Sequence, residues 1–234
     1  MPNIALSPRQ RRWTGLSPED RRQVRRALLL DAAFELLGTD GWDAMTVRSV
    51  LERARLNPRY FYESFADLDR LAVAVYDRVV DELGAVVMAA LAASDDTPAE
   101  QVHSVVRGIV EFIDGDRRRG RILYVEGLGN EALNRRRLET GRMVVAFLED
   151  SAAARRPSGR GADEVGRVAT SILVGGFSQL LVDRLAGRIR TDRERLIADT
   201  TALFVALGDA AATAAATRAA DPARRHPPPD EDRR

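Results

Sequence analysis

Apolar positions recur every three or four residues along almost the whole chain, the signature of amphipathic helices rather than strands. Val24, Leu28, Leu29, Ala32, Ala33, Leu36 and Leu37 form one broad face of a first helix that runs to about Leu37 and ends across Gly38–Gly41. Ser17 is placed to cap it, with Pro18 in the first turn and Glu19 and Asp20 at the positive end of the helix dipole. A second, short helix opens on Thr46, with Val47, Val50 and Leu51 turned inward. Asn57-Pro58 starts a third of barely two turns, through Tyr60, Phe61 and Ser64. Three helices in about fifty residues, the last two joined by a tight turn, is a helix-turn-helix layout.

A longer helix opens on Asp67 and carries Leu68, Leu71, Ala72, Val75, Val79, Leu83, Val86 and Leu91 at helical spacing. Thr97-Pro98-Ala99-Glu100 reads as a capping box for the next, which buries Val102, Val105, Val106, Ile109 and Ile113. Ile122–Val125 resembles a strand locally but has no partner strand nearby, so helices over 121–127 and 130–154 fit better. After a Pro- and Gly-containing loop come two last helices, over 163–187 and from Asp192 to about Ala216. The second is expected to open on the capping box Thr191-Asp192-Arg193-Glu194. The fold class is therefore all-α, about nine helices. It divides into a basic arm over 1–16, a helix-turn-helix domain over 17–66, a helical body over 67–219 and a disordered tail over 220–234.

Composition narrows the chemistry. All 36 basic residues are Arg, there is no Cys, and the two His are His103 and His226. Without Lys there is neither a P-loop lysine nor a Schiff-base nucleophile, and without Cys no thiolate site. No metal, no cofactor and no enzyme activity are expected. No uninterrupted apolar run has the length of a membrane span, and the N-terminus lacks a signal-peptide core, so a soluble cytoplasmic protein is expected. A net charge of +1 says little, but residues 1–60 hold eleven Arg against seven acids, a local +4, leaving −3 for the remainder.

The stretch LLLDAAFELLGTDGWDAMTVRSVLERARLNPRYFYESFADLDRL, within residues 22–82, resembles the N-terminal domain of the TetR family. The paired alanines, Gly41-Trp42, Thr46-Val47, the run Tyr60-Phe61-Tyr62 with Phe65, and Leu71 carry the likeness. Two positions depart from it: Arg55 stands where the family has a turn glycine, and Leu68 where it commonly has a phosphate-reaching Lys. The resemblance implies a homodimeric regulator that binds a palindromic operator in double-stranded DNA, commonly a repressor released by a small-molecule effector. It implies Thr46, Arg48 and Tyr62 as backbone contacts and Arg59 and Tyr60 as base readers, with Asn57, Pro58 and Glu63 completing the exposed surface. Arginine can bind guanine bidentately in the major groove, and tyrosine can touch phosphate or a thymine methyl. Glu63 reads either as an acceptor for cytosine or as a solvated acid. Arg9-Gln10-Arg11-Arg12-Trp13 reads either as a minor-groove arm or as a frayed terminus.

In the body, His103, Phe112, Tyr124, Glu126, Phe147 and Phe177 are the candidate effector-pocket residues. Glu126 equally fits a partner for Arg121 or Arg107. For the dimer face the candidates are Ile172, Gly176 and Leu180 on the penultimate helix and Leu203, Phe204 and Leu207 on the last. The same stripes also suit the core of a single subunit. A competing reading keeps the helix-turn-helix as architecture only, in a helical small-molecule binding protein or enzyme.

Overall fold

The computed structural model describes residues 17–94, 97–154 and 164–220. The proposed arm, the loop after residue 154 and the tail with His226 lie outside the described residues. Nine α-helices run in order, with no strand among the described residues: α1 Pro18–Thr39, α2 Val47–Ala54, α3 Pro58–Tyr62, α4 Leu68–Ala93, α5 Pro98–Gly115, α6 Arg117–Tyr124, α7 Glu131–Ala154, α8 Glu164–Leu185 and α9 Arg193–Ala220. Short 3-10 turns occupy Trp42–Ala44 and Glu126–Leu128.

Local chemistry explains most boundaries. Ser17 and Asp20 form a reciprocal capping box on α1, and Thr46 and Ser49 form one on α2. The start of α4 is satisfied by Asp67, whose carboxylate accepts from the Arg70 N–H at 2.7 Å. Asn130 does the same for α7 through the Leu133 N–H at 2.8 Å. Three expected caps differ. Asn57 sits at the N-cap of α3 but makes no side-chain capping bond. Thr97 caps α5, yet the Glu100 carboxylate takes the threonine hydroxyl rather than closing the box on the backbone. On α9 the cap is Asp192, which accepts from Arg195 N–H at 3.0 Å, because Glu194 is drawn instead to Arg107. The helix expected over 121–127 begins earlier, at Arg117. Asp116 is extended and ends α5, and the arginines after it support a new helix at once.

The chain divides into two compact units. The first comprises residues 17–81 together with Arg117–Arg136. Its core is Leu29, Ala33, Leu37, Val50, Phe61, Leu71, Ala72, Val75 and Val79, all fully buried, with Ile122 and Leu133 brought in from the later segment. Val24, Leu28 and Val47, expected inward, are only half-buried at its margin. α6 packs directly against α1: a Cβ at Gly38 would lie 2.4 Å from the Arg118 Cβ, so only glycine lets the two backbones approach this closely. Arg78 on α4 pairs with Asp31 on α1 at 2.7 Å, and Arg136 with Asp77 at 2.6 Å.

The second unit comprises Glu82–Asp116 and the residues from Arg137 onward. Here α5, α8 and α9 pack together. Val106, Val110, Phe112 and Ile113 on α5 are buried, as are Leu181 on α8 and Leu196 and Ile197 on α9. Arg107 grips Glu194 with both terminal nitrogens, at 3.2 and 2.8 Å, and Arg184 pairs with Asp114 at 2.7 Å. Arg107 and Glu194 reinforce each other's charge: the arginine's pKa is raised and the carboxylate's lowered, chiefly by this hydrogen bond. Yet α8 and α9 expose Val168, Ile172 and Leu203, the last 69% accessible. Both helices are long and apolar enough to cross a membrane by length and composition, although each is interrupted by charged residues.

Candidate nucleic-acid interface

α3 is a five-residue helix, and its polarity is one-sided. Phe61 is fully buried, with Phe65 close behind it, the two rings 6.3 Å apart. Tyr62 meets Phe61 edge-on at 5.3 Å while remaining 65% exposed. Asn57, Pro58, Arg59 and Glu63 are exposed, and Tyr60 is half-buried. One aromatic anchor thus seats the helix, Tyr60 is half-covered, and Asn57, Pro58, Arg59 and Tyr62 stay in solvent.

The tight turn before it is made at Arg55, the one non-glycine residue with left-handed backbone among the described residues, at φ 55° and ψ 45°. The glycine that the resemblance leads one to expect there is replaced by a side chain at a steric cost of about 1–2 kcal/mol. The chain accepts that strain, and the turn keeps its form.

The side chains around α3 form a network that the sequence reading missed. Arg59 donates to the Tyr60 hydroxyl at 2.8 Å, a contact that raises the arginine's pKa. The guanidinium carbons of Arg59 and Arg25 both lie over the Tyr60 ring, at 4.7 and 4.5 Å. Glu63 is not a lone acid: its carboxylate, 43% exposed, accepts from Arg25 through Oε2 at 3.2 Å, and its carbonyl accepts from Arg22 at the same distance. The signal for these partners was Arg21-Arg22 and Arg25-Arg26, one helical turn apart beside the buried stripe of α1. Without a fold, nothing linked them to α3.

On α2, the Thr46 hydroxyl caps the helix by accepting from Ser49 N–H at 3.0 Å, and Arg48 pairs with Glu52 at 2.8 Å on the open surface, which raises its pKa. Arg70 is exposed at the start of α4, near the position left empty of positive charge by Leu68.

The six effector-pocket candidates divide between the units. Glu126 and Tyr124 belong to the first. Glu126 is 7% exposed, and its carboxylate is fully engaged: it accepts from Arg121 Nε at 2.6 Å and from the Trp42 backbone N–H at 2.7 Å. Arg121 also donates to the Thr39 carbonyl. Gly41, at φ +90°, leaves room for this clamp, since a Cβ there would meet Arg121 at 2.7 Å. Of the two partners foreseen for Glu126, Arg121 is the one it has. Burial, with Tyr76 contributing, pushes the Tyr124 phenol well above its usual range.

The other four lie in the second unit. His103 stands between α5 and α9, 3.4 Å from Arg107 and 3.5 Å from the Thr201 hydroxyl. Phe112 is buried, and Phe177 meets Phe204 edge-on at 5.5 Å. Phe147 is 48% exposed on α7, on an open apolar surface instead of a wall. Of the dimer candidates, Ile172, Gly176 and Leu203 are exposed, with open space in front of Gly176, while Leu180, Phe204 and Leu207 are half-buried. Among the described residues no cluster of three His, Asp or Glu is arranged to hold a metal ion. A shallow hollow of about 300 Å³ lies in the first unit, lined by Asp31, Glu35, Arg53 and Arg55 among others.

Comparison with known proteins gives this geometry a context. Residues 29–75 match the family described as bacterial regulatory proteins, tetR family. The HTH-type transcriptional regulator BetI of Burkholderia mallei is 32% identical over 85 residues, 36% of this chain and 44% of BetI, so the match spans less than half of that relative. Among solved structures, the multidrug binding protein EbrR complexed with malachite green is 25% identical, with a TM-score of 0.61 over 78% of this chain and 97% of EbrR. A putative TetR-family regulator from Syntrophomonas wolfei shares the fold at 11% identity, with a TM-score of 0.67 over 80% of this chain and 95% of the other.

Proposed function

We propose that this chain, whose residues 29–75 match the family described as bacterial regulatory proteins, tetR family, is a homodimeric, sequence-specific DNA-binding regulator of transcription. The observation that carries this reading is α3, a helix seated by one buried phenylalanine with Arg59, Tyr60 and Tyr62 displayed around it. This short element places one ring, Phe61, in the core and leaves most of its other side chains to solvent. Its surface is suited to the major groove, where Arg59 and Tyr60 read base edges and Asn57, Pro58 and Tyr62 line the approach. Thr46 and Arg48 on α2 contact phosphates, which requires Arg48 to exchange Glu52 for DNA.

Two copies joined through α8 and α9 place two such helices about 34–36 Å apart, so the operator is a palindrome. The apolar surface left open at Ile172, Gly176 and Leu203 supports that pairing. In a soluble cytoplasmic dimer, these helices need no membrane to cover them. The protein acts as a repressor released by a small-molecule effector held in the second unit, where His103, Phe112 and Phe177 are the residues that support a pocket. Effector binding need only favour a conformer with the wrong half-site spacing.

Selection from a random duplex pool tests the reading. The expected product is a two-fold symmetric site, bound with strong salt dependence. Recovery of no enriched sequence would overturn it.

A further inference from the structure

The same element raises a physical question: what fixes the angle of α3? A five-residue helix has too few internal hydrogen bonds to hold itself, and Asn57 supplies no side-chain cap. One buried ring, Phe61, can act as a pivot but does not stop rotation about it. Yet base reading requires the reader to be held within a fraction of an ångström.

We infer that Arg25 on α1 is a positioning residue that sets the orientation of α3, by holding the Glu63 carboxylate and the Tyr60 ring together, with Arg22 holding the Glu63 carbonyl. This rests on the reading of α3 as the DNA reader. The contacts gather at the C-terminal end of α3: Arg25 to Glu63 at 3.2 Å, Arg22 to the Glu63 carbonyl at 3.2 Å, and the Arg25 guanidinium 4.5 Å from the centre of the Tyr60 ring. A cation here also meets the negative end of the helix.

Burial separates this role from a phosphate contact. The Arg25 side chain is only 16% exposed, and its Nε is buried with no hydrogen-bond partner. An arginine waiting for a phosphate extends its head into water; this one forgoes a hydrogen bond to stay where it is. Glu63 gains its purpose in the same way. Unpaired, a carboxylate on the reading helix would repel the DNA backbone; neutralised by Arg25, it becomes a tether. Tyr60, stacked under Arg25 and bonded to Arg59, transmits that orientation to the base reader itself.

The double variant Arg25→Gln/Glu63→Gln removes one charge of each sign and so leaves the local net charge as in the wild type. Binding of the full-length protein to its selected duplex and to a scrambled duplex is measured across a salt series. The expected result is a preference for the selected duplex lowered about tenfold, comparable to a mismatched base pair, with scrambled-duplex affinity and salt slope unchanged. Were Arg25 a phosphate contact, both duplexes would weaken alike and the salt slope would fall by about one per subunit; that result overturns the inference.

A measurement without DNA distinguishes this outcome from failure of the DNA-binding reading. Amide hydrogen exchange at residues 60–65 is expected to speed up to a similar extent in Arg25→Gln, Glu63→Gln and the double variant, without additivity, while the amides of Leu29–Leu37 stay protected. Unchanged exchange at residues 60–65 in all three variants overturns the inference whether or not any DNA is bound.

Discussion

The first unit and the α8–α9 pair of the second solve the burial problem in opposite ways. In the first, each helix finds its apolar partner within the chain: Leu29, Leu37, Val50, Phe61, Leu71 and Val75 are fully buried. Its charged groups are matched as well, in Arg121–Glu126, Arg78–Asp31 and Arg25–Glu63. The α8–α9 pair is more apolar along its length, yet only 17% of the most hydrophobic window of either helix is buried. Ile172 and Leu203 face outward, and nothing stands within 4 Å of a Cβ built at Gly175 or Gly176. The first unit closes on itself, whereas the apolar surface left open on α8 and α9 is what the proposed pairing of two copies would cover.

The sharpest way to break this contrast is at the anchor of α3. Phe61→Ala leaves a cavity in the most closed part of the molecule and should lower the stability of the first unit by about 3–5 kcal/mol, read as a loss of Tm by circular dichroism. A variant that melts like the wild type would mean that the unit does not depend on this ring. Next comes the clamp between α6 and the end of α1. Glu126→Ala strands Arg121 and the Trp42 N–H, and an expected loss of about 2–3 kcal/mol follows from hydrogen bonds to a charged group. The cost stays below that of a fully buried pair because Arg121, 36% exposed, can turn to water. Denaturant titration measures it, and equal midpoints for variant and wild type would show the clamp to be incidental.

For the associating helices the expectation reverses. Leu203→Glu should leave the spectrum and Tm of the isolated subunit unchanged, since the side chain is already exposed, but should raise the dimer dissociation constant tenfold or more. Sedimentation equilibrium decides, and a variant as dimeric as the wild type would place the interface elsewhere. The smallest effect concerns acid. The Glu194 carboxylate is held below its usual range by the Arg107 hydrogen bond. Its contribution is therefore fully present above the ordinary glutamate pKa of about 4.3 and is lost as pH falls through the lowered folded-state value. Because the pair is solvent-exposed, melting curves of wild type and Glu194→Gln should differ slightly at pH 7 and converge toward pH 3. A gap that widens in acid would reverse the assigned sign.

The sequence conveyed the self-sufficient unit well because its rules are local. Ser17, Thr46 and Asp67 each announce a helix start, and the stripe from Leu29 to Leu37 announces its buried face. What it concealed was contact across long separations. Glu126 reads as a ligand residue or as a partner for Arg121 or Arg107, and Arg121 is the partner it has, but its bond to a backbone amide 84 positions earlier left no local signal. Arg25 and Glu63 look like two ordinary surface charges until the fold brings them together across 38 positions. Near α9 the error was one of competition: Thr191 and Glu194 have capping-box spacing, but Arg107 takes the glutamate.

The claim on which all of this depends is that α3 reads DNA sequence. Fluorescence anisotropy, at fixed salt, of the wild type, Arg59→Ala and Tyr60→Ala against a selected palindrome and its scrambled counterpart tests it directly. The account predicts that each variant keeps its fold and loses about 1–3 kcal/mol of preference for the palindrome. Variants that discriminate between the two duplexes as well as the wild type would contradict it.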